Sequence, residues 1–125
     1  MPVKELTKAE EQIMQILWQL KEAIVKDILD QMPEPKPAYN TVSTVVRVLE
    51  GKGFIDHKAY GNSHVYFPLV AEAEYKQFTF DKMMKNYFNN SYQSLVSFIA
   101  NEKKLDINEL DELTVLLENL KNNRS

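Results

Sequence analysis

Apolar positions recur at helical spacing in the first third of the chain, alternate near its middle, and return to helical spacing toward its end. Thr7 followed by Glu10 opens the first helix with a capping-box pattern, in which each side chain serves the other's backbone. Ala9, Ile13, Ile16, Leu17 and Leu20 then lay one helix face on a core, with Trp18 as a core or edge packer. A second helix, roughly residues 23–32, carries Ile24, Ile28 and Leu29 on one side. Pro33 ends it, and Pro35 and Pro37 stiffen the connector.

The third helix is expected from Tyr39 to Lys52, with Val42, Val45, Val46 and Leu49 as its buried stripe. Asn40, Thr41, Ser43, Thr44 and Arg47 fall on or near its opposite side. Its β-branched residues lower its intrinsic propensity, so tertiary packing must hold it. Gly51 and Gly53 supply the stop.

Two alternating strands follow, around Gly61-Asn62. Ile55, Ala59, Val65, Phe67 and Leu69 are odd-numbered and mostly apolar, whereas Asp56, Lys58, Tyr60, His64 and Tyr66 are even-numbered and polar or amphipathic. Cross-strand partners share a face, so this parity predicts pairing of Tyr60 with His64 across the three-residue loop Gly61-Asn62-Ser63. It also separates His57 and His64 onto opposite faces.

After Pro68 glycine and proline disappear, and three helices are expected over residues 71–88, 91–101 and 107–122. Asn89-Asn90 and residues 104–106 form the breaks, with Asp106 and Glu109 as a second N-terminal cap. Tyr75, Phe78, Met83, Met84, Tyr87 and Phe88 make the first of these helices broadly apolar. Leu110, Leu113, Leu116, Leu117 and Leu120 do the same for the last. Helices this apolar on an extended arm call for a partner surface, and a second copy of the chain is the simplest. The fold class is therefore mostly α: a three-helix winged helix-turn-helix with a β-hairpin wing over residues 1–70, then a helical dimerisation domain over 71–125.

Composition narrows the chemistry. At 125 residues and 44% apolar, the chain suits one soluble domain with an arm. It has no apolar run of membrane-span length and no secretory signal pattern, so a cytoplasmic protein is expected. Zero cysteines exclude disulfides, thiolate metal sites and cysteine nucleophiles. No Gly-rich phosphate loop occurs, and Ser91, Ser94 and Ser97 lack a histidine base in sequence context. Neither enzymatic activity, nor a metal, nor a cofactor, nor a small-molecule substrate is expected.

The net charge of −3 is a mild argument against a nucleic-acid partner. Its distribution softens the objection. Residues 1–35 carry four lysines against seven acids, but residues 36–70 carry Lys36, Arg47, Lys52 and Lys58 against Glu50 and Asp56. A recognition helix presents its first turns to base edges in the major groove. Asn40 suits adenine, Thr41 and Thr44 offer hydroxyl or methyl contacts, Ser43 joins them, and Arg47 reaches guanine or phosphate. Lys52, Lys58, Asn62 and Ser63 suit backbone phosphates. The rival reading is a winged-helix protein–protein interaction module without sequence-specific DNA binding.

The segments LTKAEEQIMQILW, AYNTVSTVVRVLEGKGFIDHK, HVYFPLV and SLVSFIANEKKLDINELDEL, in this order, resemble the penicillinase-repressor family, the BlaI/MecI type of bacterial winged-helix regulators. The resemblance implies a homodimeric transcriptional repressor on a palindromic double-stranded DNA operator, with Asn40, Thr41, Ser43 and Thr44 on the base-reading stretch. It also implies control by a membrane sensor metallopeptidase of the β-lactamase-regulation type, leading to cleavage within the C-terminal helices. The staphylococcal Asn-Phe cleavage pair aligns with Phe98-Ile99, which departs from it. Asn40 and Ser43 stand where some relatives carry Lys or Arg. The cysteine pairs of the related copper-responsive repressors are absent.

Overall fold

The structure is a computed structural model that describes residues 3–102 and 106–124, with the side chains of Leu117, Leu120, Lys121, Asn123 and Arg124 outside the described set. The chain forms two compact units, Met1–Thr79 and Phe80–Ser125. Helix α1 (Lys8–Leu20) starts at the expected cap. The Thr7 amide donates to Glu10 Oε1 at 2.8 Å, and the Glu10 amide donates to Thr7 Oγ1 at 3.2 Å. Its buried face is Ile13, Met14 and Leu17.

Helix α2 (Val25–Asp30) is shorter than the expected 23–32. Ala23 instead exchanges two backbone hydrogen bonds with Tyr66, at 2.9 and 2.8 Å, as an antiparallel bridge. These bonds hold the chain extended, so the helix cannot begin until after Ile24. At the other end the Lys36 ammonium donates to the carbonyls of Leu29, Asp30 and Met32 and so caps the last turn, where the Leu29 carbonyl also accepts the Met32 amide at 3.1 Å.

Helix α3 (Tyr39–Gly51) packs its valine stripe inward: Val42, Val46 and Leu49 are buried and Val45 half-buried. Its C-terminus is a Schellman motif. The Phe54 amide donates to the Leu49 carbonyl and the Gly53 amide to the Glu50 carbonyl, both at 3.0 Å. Gly53 takes φ +84°, which explains a glycine there. Phe54 and Leu49, both fully buried, form the accompanying apolar contact.

Strands β1 (Ile55–Tyr60) and β2 (Ser63–Pro68) make the antiparallel wing. Their register corrects the parity argument. Tyr60 pairs with Ser63, Ala59 with His64 and His57 with Tyr66, so the loop is the two residues Gly61-Asn62. Gly61, at φ +60°, is the first loop residue, where a type II′ turn calls for glycine. The slip of one leaves β1 as expected but inverts β2. Tyr66 is buried beside Ile55's face, while Val65 and Phe67 turn to the other side and are half-buried.

The first unit's core joins Ile13, Leu17, Ile28, Val42, Val46, Leu49, Phe54 and Ile55. Tyr75, from the start of α4 (Glu72–Phe88), completes it. Its ring lies 6.1 Å from Trp18, 5.9 Å from Phe54 and 5.7 Å from Phe78, and its hydroxyl accepts the Leu6 amide at 2.9 Å. Tyr75 and Phe78, expected among the dimerisation residues, thus pack into the first unit, which runs past residue 70.

The second unit holds the rest of α4, α5 (Tyr92–Glu102) and α6 (Ile107–Arg124). Asn89 and Asn90 break the chain with φ of 51° and 59°, and Asp106 caps α6 by accepting the Glu109 amide at 2.8 Å. Among its described residues Met84 alone is buried. Phe80 stacks on Tyr92, and Phe88 meets Phe98 edge-on at 5.6 Å. No helix among the described residues is long and apolar enough to cross a membrane.

Candidate nucleic-acid interface

The packing of α3 decides which of its side chains remain outside. With Val42, Val46 and Leu49 inward, Tyr39, Asn40, Thr41, Thr44, Arg47 and Val48 are exposed and Ser43 is half-buried. Thr44 donates its hydroxyl proton to the Asn40 carbonyl at 2.9 Å. That bond leaves the Thr44 methyl and a hydroxyl lone pair as what it can offer a base. The N-cap residue Ala38 offers no side-chain cap, and its carbonyl accepts the Thr41 amide at 3.0 Å.

A groove of about 230 Å³ runs between α3 and the wing. Tyr39, Ser43 and Arg47 line one wall, Asn62, Ser63, His64 and Tyr66 the other, with Ile24 and Val25 at one end. Four expected contact residues, Ser43, Arg47, Asn62 and Ser63, therefore meet in one place. Arg47 brings the groove its positive charge and has no carboxylate within ion-pairing distance among the described residues. Burial, helped by the nearby Glu50 charge, pushes the Tyr66 phenol up from its ordinary value, and Arg47 pulls it only partly back. The phenol is thus held as a neutral hydrogen-bond donor at the wall of the groove.

The other expected residues divide. Asn40, Thr41 and Thr44 share α3's outer face beside the groove. Lys58 is exposed on the outer side of the wing, its ammonium 5.3 Å from the centre of the Phe67 ring. Lys52 is a correction: it turns inward and binds Glu10 Oε1 at 2.7 Å, so its charge is neutralised within the first unit. Burial alone would raise the Glu10 pKa, but hydrogen bonds from Lys52 and the Thr7 amide, with the Lys52 charge, outweigh it and lower the net value.

The two histidines are a second correction. In the observed register His57 and His64 are stacked, ring centres 4.3 Å apart, and His57 Nδ1 is bound to Glu50 Oε2. The residues that sequence reasoning passed over are Tyr39, His64 and Tyr66. Tyr39 had a visible signal, an aromatic side chain at the exposed start of the polar helix. The placement of His64 and Tyr66 depends on the register and had none.

On the arm, Tyr87 is exposed, Met83, Leu110 and Leu113 are half-buried, and Leu116 is exposed. The Leu117 and Leu120 side chains lie outside the described residues. Phe98 is exposed and Ile99 half-buried, both within α5.

Three helices, a two-stranded wing and a polar helix face opening on the wing define a winged helix of the DNA-binding regulator class. The family model described as penicillinase repressor matches residues 6–119. The chain belongs to the penicillinase repressor family. It is 29% identical over 114 residues to the methicillin resistance regulatory protein MecI of Staphylococcus aureus (strain N315), covering 90% of this chain and 93% of that protein. It is 22% identical over 123 residues to the penicillinase repressor of Bacillus licheniformis, covering 98% and 96%. The solution structure of the DNA-binding domain of the repressor BlaI matches its fold with a TM-score of 0.52 at 21% identity, over 59% of this chain and 92% of that one. The solution structure of monomeric B. licheniformis BlaI in complex with the blaP half-operator matches at a TM-score of 0.50, with the same identity and coverage.

Proposed function

We propose that this protein is a transcriptional repressor that binds a palindromic DNA operator as a homodimer, inserting α3 into the major groove once per half-site. The observation that carries this reading is the groove in which Ser43 and Arg47 of α3 face Asn62 and Ser63 of the wing. A helix in the major groove with a hairpin on the flanking backbone needs these two elements side by side. The half-operator complex of the B. licheniformis relative supports the same use of the fold.

Asn40, Thr41, Ser43, Thr44 and Arg47 read base edges or fix register, and Asn62, Ser63 and Lys58 meet phosphates. Lys52 has no part. Met83, Tyr87, Leu110, Leu113 and Leu116 contribute to the dimer. A membrane sensor metallopeptidase controls the repressor, with cleavage near Phe98-Ile99. Because both residues are helical, α5 must unwind locally before a protease can take the bond in extended form.

Selection from a random duplex pool is expected to return a palindrome with half-sites about one helical turn, or a multiple of it, apart. On the selected site Arg47→Ala should cost roughly 1–3 kcal/mol. Lys58→Ala should weaken all sequences alike and reduce the salt slope by about one unit. Recovery of no palindrome, with Arg47→Ala neutral, would instead identify a protein-interaction module.

A further inference from the structure

The corrected wing register stacks His64 on His57, beside two carboxylates at the root of the wing. Glu50, in the last turn of α3, and Asp56 and His57, at the start of β1, place one donor atom each within 4.8 Å of one another. His57 Nδ1 is turned to Glu50 Oε2. Asp56 is drawn to the same side, accepting the His57 amide on Oδ1 at 2.8 Å. His64 lies flat on His57, 4.3 Å away and tilted by only 15°, which fixes the imidazole plane.

Charge adds an independent argument. Among the described residues neither Glu50 nor Asp56 has a lysine or arginine within ion-pairing distance. Both carboxylates therefore stand beside the imidazole with no basic side chain to neutralise them. We propose that Glu50, Asp56 and His57 form a binding site for a divalent transition-metal ion of the Zn²⁺ type at the root of the wing. The imidazole nitrogen favours that class over Mg²⁺ or Ca²⁺, which take oxygen donors. Ligands at 2.0–2.2 Å from an ion stand at most roughly 4 Å apart, so the exposed Asp56 carboxylate needs only a small swing. His64 is a positioning residue, and water fills the open coordination. The site ties the end of α3 to the wing and does not depend on the DNA reading.

Calorimetric titration of the full chain with Zn²⁺ alone is expected to show one saturable site per chain. His57→Ala and Glu50→Gln should each weaken it by at least about tenfold, since even outer-shell losses cost 10–100-fold. His64→Ala should weaken it less than either. Mg²⁺ binding as tight as Zn²⁺ would overturn the proposal, as would Zn²⁺ binding that survives His57→Ala but is lost in His64→Ala. Ring resonances of the unmutated protein give a reading free of folding effects: Zn²⁺ should shift His57 first, and shifts confined to His64 would overturn the site.

Discussion

The two units of this chain put similar proportions of apolar side chains, 36 of 79 residues and 19 of 46, to opposite ends. In the first, helices and wing close over Phe54, Leu49, Leu17 and Ile28, all essentially without solvent contact. In the second, Met84 alone is buried among the described residues, while Tyr92, Ile107, Val115 and Leu116 are more than half exposed. An apolar helix face exposed to this extent marks an interaction surface. The first unit is therefore built as a self-sufficient reading head, and the second as a surface awaiting cover. On the proposed function that cover is a second copy, which would turn a head with a small positive excess into a two-headed binder.

The largest effect expected is in the first unit. Phe54→Ala removes a fully buried ring that anchors the α3 stop and touches Tyr75, and should cost about 3–5 kcal/mol in chemical denaturation. A loss below about 1 kcal/mol would break the contrast. Leu113→Asp with Leu116→Asp is the counterpart in the second unit. It should convert dimer to monomer in sedimentation and weaken operator binding by about 100-fold, equivalent to roughly 2.7 kcal/mol. An unchanged mass would remove the assigned role of the arm.

Gly53→Ala comes next. Its φ of +84° lies where a side chain is strained, so a loss of about 1–2 kcal/mol is expected. It falls on the first unit alone: the thermal midpoint should drop while the arm's association is untouched. A drop in both would mean that the units are not energetically separate.

Much of this contrast was legible in the residues. The Thr7–Glu10 cap, the valine stripe of α3, the Gly53 stop and the Asp106 cap rest on neighbours within a few positions, and local spacing reveals them. What sequence reading missed depends on partners far along the chain. Lys52 reads as a surface cation until Glu10 is seen beside it. The register of β2 is ambiguous by parity, since Val65 and Phe67 or the amphipathic Tyr66 could each supply the inner face. The bridge from Ala23 to Tyr66 accompanies the second choice, and nothing near either residue announces it. From that slip follows the stacking of His64 on His57.

The smallest effect tests a polar tie within the first unit, between α1 and the end of α3. Glu10→Gln keeps the reciprocal cap with Thr7, because glutamine serves at that position, and removes the charge that meets Lys52. Lys52 is partly exposed, so the loss at neutral pH should be at most about 1 kcal/mol. The pH dependence carries the sign. Glu10 has a lowered folded-state pKa, so its contribution is present above its unfolded value near 4.5 and is lost as pH falls through the folded one. Denaturation of both forms from pH 7 down to 3 should therefore show their difference shrinking below pH 4.5. A gap that widened in acid would mean that burial, rather than Lys52, governs the carboxylate.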